Sequence, residues 1–218
     1  MTESNKYEER AEGYDEEAEA TGWLGTEVAF GLMYRHIQPG QSILDIGIGT
    51  GLGSILFKKA GLRVYGIDRS NDMLNACRKK GISELKKHDL LAPPYPYDSE
   101  SFDHAVCLGV LHFFADLSPL FGEAARIIRK GGFFAFTVGD RPEGEPAEIV
   151  ISPEDSKTGG TVTMYRHSPG QIGEWSGRNR FTITKNLQFT AYMDRERTKA
   201  MPIRIFLAKK DGEQESAD

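Results

Sequence analysis

The sequence predicts a doubly wound α/β fold, a mostly parallel sheet with helices on both faces. Three observations predict it. Short apolar runs alternate with helix-length segments from Ser42 to Val138. Most of those helices carry their own start and stop signals. A glycine-rich turn, Gly47 to Gly53, follows the first apolar run, where a strand hands over to a helix. Such alternation buries strands under crossover helices, and right-handed crossovers then set the winding.

The elements follow in order. Residues 1–20 read as a charged amphipathic helix, with Tyr7, Ala11 and Tyr14 spaced to share a face. A second helix fits Leu24 to Ile37 and stops at Pro39-Gly40. Ser42 to Ile46 is a buried strand, Gly51 to Ala60 a helix, and Arg63 to Ile67 a second strand. Ser70 caps a helix that Gly81 ends. Leu85 to His88 and Phe102 to Leu108 are the next strands. Ser118-Pro119 opens a helix that runs to Gly131-Gly132, and Phe133 to Val138 is the fifth strand. Ala147 to Ser152 and Thr161 to Arg166 flank the turn-rich DSKTGG and read as a hairpin. Ser168-Pro169 opens a last helix. Phe181 to Met193 and Ile203 to Lys209 are β-rich and expected to pair antiparallel at one sheet edge.

One domain over 1–209 accommodates these elements: N-terminal lid helices (1–40), a binding core (41–140), an insertion (141–180) and C-terminal strands (181–209), with 210–218 as a disordered tail. Hydrophobic residues make up 39% and charged residues 27%, a globular balance. No run approaches the roughly 20 apolar residues that cross a bilayer. The acidic N-terminus lacks the apolar core of a signal peptide, so the expected location is the cytoplasm. Cys77 and Cys107 sit in apolar surroundings and read as reduced thiols. The five histidines show no metal-ligand spacing, and no metal is expected. Net charge is −5 and the basic residues are scattered, which argues against a nucleic-acid partner.

The chemistry concentrates at strand ends, where a doubly wound sheet binds its ligands. The first end carries Asp45-Ile46-Gly47-Ile48-Gly49-Thr50-Gly51-Leu52-Gly53. Glycines there let a ligand approach the backbone. Asp68 closes the second strand, 21 residues after Gly47, where a carboxylate accepts ribose hydroxyls. Asp89 closes the third, within reach of an adenine edge. A dinucleotide cofactor is disfavoured: Asp45 would repel a pyrophosphate, and the third glycine of that fingerprint is Ser54. Asp45 suits a cationic cofactor.

In this order the segments resemble the class I S-adenosylmethionine-dependent methyltransferases of small-molecule type, similar to methyltransferase domains 11 and 25. The resemblance spans residues 5–140. LDIGIGTGLG is similar to the first motif, VYGIDRSNDML to the second and KKHDLL to the third. FDHAVCLGVLHFF and RIIRKGGFFAFTV are similar to the fourth and fifth, and Tyr7 to Asp15 resembles the Y-x-x-x-A-x-x-Y-D lid helix of the family. The resemblance implies a seven-stranded, Rossmann-like sheet and S-adenosylmethionine as cofactor. It implies that Gly47, Gly49 and Gly51 cradle the methionine part, with Asp45 on its ammonium. Asp68 would take the ribose. Arg69, Met73 and Leu90 would flank the adenine and Asp89 would read its edge. Leu108 would sit at the fourth strand end, and Tyr14 would close over the carboxylate with Tyr7 beside it.

Methyl transfer from a sulfonium needs no acid, and a base only where the acceptor must lose a proton. His112 is the best candidate base, with Tyr14 and His167 behind it. The short insertion favours a small-molecule acceptor, with walls expected from Trp23, Phe113, Phe114, Tyr165 and Trp175. Arg141, Arg166 and Arg178 are candidates to pair with an acidic group on it. The alternatives are a protein or RNA acceptor, or a non-catalytic cofactor-binding regulator. Ala92-Pro93-Pro94-Tyr95 resembles the motif of amino-methylating nucleic-acid enzymes, but it follows the wrong strand and reads as a Pro-rich loop.

Overall fold

A computed structural model of the chain describes residues 11–151, 161–193 and 200–212. Helix α1 (Tyr14–Thr21) and α2 (Gly25–Met33) precede β1 (Ser42–Ile46). A 3₁₀ turn (Leu52–Ser54) and a short α3 (Ile55–Lys59) lead to β2 (Arg63–Asp68), α4 (Asn71–Lys79) and β3 (Glu84–Lys87). Then come β4 (Phe102–Cys107), a second 3₁₀ turn (Leu111–Phe113), α5 (Ser118–Ile127) and β5 (Ile128–Asp140). The chain continues through β6 (Glu148–Ile151), β7 (Val162–His167), α6 (Pro169–Arg178), β8 (Phe181–Met193) and β9 (Ala200–Lys210).

Strands β3-β2-β1-β4-β5 are parallel neighbours, so the order reverses between β1 and β4. That reversal opens the crevice in which this architecture holds ligands. Strand β9 lies antiparallel to β5, from Phe133↔Lys209 to Gly139↔Ile203, and β8 pairs with β9. Among the described residues the sheet has nine strands where seven were expected. The two additional strands are the β6–β7 hairpin, which joins the last residues of β5 through Gly139↔Arg166 and Asp140↔His167. The hairpin was legible as a unit; its attachment to the sheet was not.

Both faces of the sheet are buried, and alternation sorts the side chains. Leu44, Ile46, Phe134, Phe136 and Phe206 pack on one face with Phe121 from α5. Ile43, Ala135, Ile205 and Leu207 pack on the other with Met33, Phe57 and Leu74. On the first face, Phe136 stacks on Phe206 at 5.5 Å and meets Phe121 edge-on at 5.2 Å. The far end of the sheet is pinned by Asp103, whose carboxylate accepts from the Ser42 N–H at 2.7 Å and hydroxyl at 2.8 Å.

Several boundaries differ from expectation for local reasons. Helix α1 starts only at Tyr14, because Gly13 takes a left-handed φ of 75°, so Ala11 lies outside it. Tyr7 lies outside the described residues. Helix α2 stops at Met33, and His36 stacks on Phe133 at 4.1 Å instead of continuing the helix to Ile37. Helix α5 ends at Ile127 because Ile128 pairs with Phe102 as a strand residue. The hairpin tip DSKTGG and residues 213–218 also lie outside the described residues, and β9 runs through Lys210, into the expected tail. Among the described residues, no helix is long and apolar enough to cross a membrane.

Phe121 is fully buried between Phe134, Phe136 and Trp175. Phe121→Ala should therefore cost about 3–5 kcal/mol, read as a lower urea midpoint at unchanged slope. A loss below about 1 kcal/mol would show that this face repacks freely.

Candidate functional site

The loop after β1 rests on carboxylates from two strands. Asp68 ends β2, and its Oδ2 accepts the Gly49 N–H at 2.9 Å. Its Oδ1 accepts the Ser70 N–H at 2.9 Å, where Ser70 caps α4 through a bond from the Met73 N–H. Burial pushes the Asp68 carboxyl above the usual range, opposed by those N–H bonds and by Arg69. A carboxylate has about four acceptor sites, so after the backbone N–H groups of Gly49, Ser70 and Arg69 acceptor capacity remains for a ligand.

Asp45 sits at the C-terminal end of β1, opposite Gly66 and Val106 on the flanking strands. It is 2% exposed, and its Oδ2 accepts the Ser54 hydroxyl at 2.7 Å. Burial pushes its carboxyl up to about 7, with Ser54 opposing and the Asp68 charge adding to the rise. A buried carboxyl in this condition is poised for a cation: a positive charge beside it restores the ionised form.

The glycines divide into two kinds. Gly49 has a φ of 54°, and a Cβ built there meets nothing within 4 Å. Space for a ligand therefore opens at Gly49. At Gly47 a Cβ would meet Val110 at 2.7 Å, and at Gly51 it would meet Ile82 at 2.9 Å. At these two positions protein packing and positive φ already require glycine.

Loop N–H groups discriminate between ligands. Those of Gly47 and Ile48 donate to the Ile67 carbonyl, that of Gly51 to Ile48, and that of Ser54 to Gly51. The Gly49 N–H is committed to Asp68. An anion-binding nest needs such groups unspent. With these N–H groups spent, what the site offers is the acceptor oxygens of Asp45 and Asp68, which suit an ammonium and ribose hydroxyls better than a pyrophosphate.

Three side chains absent from the sequence reading hold the loop from outside. The Cys77 thiol donates to the Gly49 carbonyl at 3.0 Å, and burial raises it to about 12, so it stays protonated. Lys80 donates to the Thr50 carbonyl at 2.8 Å and ion-pairs with Asp15 of α1. The Thr50 hydroxyl donates to Asp15 at 2.6 Å. Asp15 thereby latches the lid helix onto the loop. The neighbouring Tyr14, at the first position of α1, is 42% exposed.

The remaining expected residues are dispersed. Met73 is buried at the start of α4, and Arg69 is exposed beside Asp68. Asp89 is exposed and its carboxylate accepts the Leu91 N–H at 3.0 Å. Leu90 is 7% exposed within the main core cluster, so its side chain is spent on packing. Leu108 lies against Gly53: a Cβ there would sit 3.4 Å from Leu108 and 3.5 Å from Asp45. Tyr95 of the Pro-rich loop is buried, with its N–H donating to Glu123, so that segment is structural.

Beyond Leu108 the chain turns into a second space. Gly109, with a φ of 70°, donates its N–H to the Thr137 hydroxyl at 2.8 Å and faces the Trp23 indole. Together with His112 these residues line a cavity of about 50 Å³. His167 is not in it: its Nε2 bonds the Phe114 carbonyl at 3.0 Å, and burial lowers its pKa. Of the expected aromatic walls, Trp23 and Tyr165 line the cavity and Trp175 packs on Phe121 instead; Tyr192 of β8 is added.

The methyltransferase domain family matches residues 44–136, from β1 into β5. The malonyl-[acyl-carrier protein] O-methyltransferase of Salmonella typhimurium is 35% identical over 107 residues, 47% of this chain and 41% of that protein. The chain spans about half the length, or less, of the curated relatives it matches. An S-adenosylmethionine-dependent methyltransferase of Methanosarcina mazei shares the fold with a TM-score of 0.70 at 18% identity, covering 84% of this chain and 98% of that one. The magnesium protoporphyrin IX methyltransferase of Synechocystis, solved with bound S-adenosylmethionine, gives 0.61 at 20%, covering 85% and 77%.

Lys80→Met removes both contacts that Lys80 makes at the latch. Amide exchange across α1 should quicken roughly tenfold, the equivalent of about one hydrogen bond, while global melting moves little. Unchanged exchange in α1 would show that Asp15 and Thr50 hold the lid without it.

Proposed function

We propose that this chain, whose residues 44–136 form a methyltransferase domain in a class I S-adenosylmethionine-dependent methyltransferase fold, binds S-adenosylmethionine at the β1–β2 ends. Its methyl group then passes to a small-molecule acceptor in the cytoplasm. The observation that carries the reading is the pair of carboxylates flanking an open Gly49, with the N–H groups of Gly47, Ile48, Gly49, Gly51 and Ser54 already spent. The cofactor supplies an electrophilic methyl on a sulfonium, which leaves as a neutral thioether.

The chain's own residues do the positioning. Asp45 holds the ammonium, and the remaining acceptor capacity of Asp68 takes the ribose. Met73 and Arg69 stand beside Asp68 at the start of α4 and flank the base, and Asp89 lies at the next strand end. Leu90 contributes as a core residue beneath that end. Tyr14, next to the Asp15 latch, closes the methionine side. Leu108 is the wall between cradle and cavity, so the acceptor meets the methyl past the end of β4. Water exclusion and alignment there supply much of the acceleration. His112 lines the cavity, and its imidazole is the base for an acceptor that must lose a proton. A protein or RNA acceptor has less support, because the cavity is walled by side chains from many elements rather than lying in an open groove.

Asp68→Ala should weaken S-adenosylhomocysteine binding at least tenfold by calorimetry, since hydrogen bonds to a charged group contribute about 1.5–3 kcal/mol. No binding to the wild-type chain would overturn the cofactor assignment. Asp45 attracts an ammonium only when ionised, and in the free chain it titrates near 7. Affinity should therefore fall as pH drops below 7, by up to about tenfold per unit. Asp45→Asn should flatten that dependence; a profile as steep as the wild type's would assign it to another group.

A further inference from the structure

We infer that the cavity beyond Leu108 selects a flat, uncharged, apolar-bodied acceptor, and that Trp23 is its gate. The inference rests on the methyl-transfer reading above, and names the acceptor class of that same site. Its walls are Trp23, Met164, Tyr165, Tyr192, Met201 and Ile203, with Gly109 and Val138 between them. Among the described residues no carboxylate lines it, and the guanidinium at its wall is that of Arg166, turned to the segment before β6: it donates to Glu145 at 3.2 Å and to the Pro146 carbonyl at 2.9 Å. The other arginines expected to meet an acidic acceptor are elsewhere. Arg141 lines a separate surface groove with Glu143 and Glu145, and Arg178 pairs with Glu174. An acceptor with a charge on its buried body would therefore lose hydration without gaining a counter-ion, a cost of several kcal/mol. A neutral ring gains instead from each buried apolar area and from the aromatic faces.

Size identifies the gate. The cavity measures about 50 Å³, whereas water occupies about 30 Å³ and a cavity that takes benzene is nearer 150 Å³. The walls must move for a ring to enter. Met164 and Met201 are flexible walls. The β5 and β9 walls are held in the sheet register. Trp23 sits between α1 and α2, after Gly22 with a φ of 72°, and its indole stands 6.4 Å from the Tyr192 ring. The Leu24 N–H donates to the Ala191 carbonyl at 2.9 Å and the Trp23 N–H to the Ala18 carbonyl at 2.8 Å, so the backbone is held on both sides and the indole side chain is the part that turns. Rotation of Trp23 away from Gly109 enlarges the cavity without disturbing the sheet. Its position on the latched lid also joins acceptor entry to lid closure.

The test uses the full chain and three probes that share one ring system: 1-naphthol, 1-naphthoate and 1-naphthylmethylammonium. Each is titrated by calorimetry at pH 7 with S-adenosylhomocysteine present. Naphthol should bind at least tenfold more tightly than either charged probe, and Trp23→Ala should change naphthol affinity at least fivefold. Met164→Glu should move the preference toward the ammonium probe; because it only introduces a charge at the wall, its effect separates cavity chemistry from gate motion. Equal or tighter binding of a charged probe overturns the inference. So does no naphthol binding in a chain that binds S-adenosylhomocysteine, which leaves the methyl-donor reading standing. Naphthol binding in a chain that ignores S-adenosylhomocysteine supports the cavity chemistry and overturns the methyl-donor reading.

Discussion

The Asp68 carboxylate accepts one N–H from Gly49 and another from Ser70, and so joins the loop after β1 to the start of α4. Much of the site follows from that bridge. It spends the loop N–H that an anion would need, sets the open side of Gly49, and brings the two strand-end carboxylates close enough for Asp68 to raise Asp45. Burying two acids this near one another is unfavourable in the free chain, and a cationic ligand relieves it. The site is thus electrostatically incomplete by construction, and its incompleteness specifies the sign of what it binds.

Around that bridge the protein layers further restraints of different strength. Core packing on both sheet faces holds β1 and β2 in register, with the aromatic group of Phe121, Phe136 and Phe206 on one side. Cys77 and Lys80 hold the loop from α4 through carbonyl oxygens. Asp15 holds it from the lid through one hydroxyl and one ammonium, contacts that are partly exposed and therefore easily broken. Rigidity grades from the sheet outward to the lid, as ligand entry requires.

The strands and capped helices were legible because their signals are local. Ser42–Ile46 is observed at the bounds its apolar run implied, and Ser70 and Ser168 cap helices as their sequence contexts suggested. The strand-end positions of Asp45 and Asp68 were legible because an apolar run leading into a glycine turn, or into a capped helix, is a local pattern. The Asp15–Thr50, Cys77–Gly49 and Lys80–Thr50 contacts were not, since their partners lie 35, 28 and 30 residues apart with no spacing rule linking them. The core packing of Leu90 was not legible for a related reason: an apolar residue beside a site motif is indistinguishable in sequence from one turned into the core.

By itself the sequence determined the winding of the sheet, the strand ends at which chemistry collects, and the preference for a cationic nucleoside ligand over a phosphate. Those follow from periodicity, glycine placement and the sign of charge, which are properties of neighbouring residues. The tertiary structure alone decided which loop glycines have open space beside them, how far Asp45 is displaced from an ordinary carboxyl, and that Trp23 and Tyr192 meet across a cavity 169 residues of chain apart. Burial and long-range contact set these, and neither is a property of any short stretch of chain.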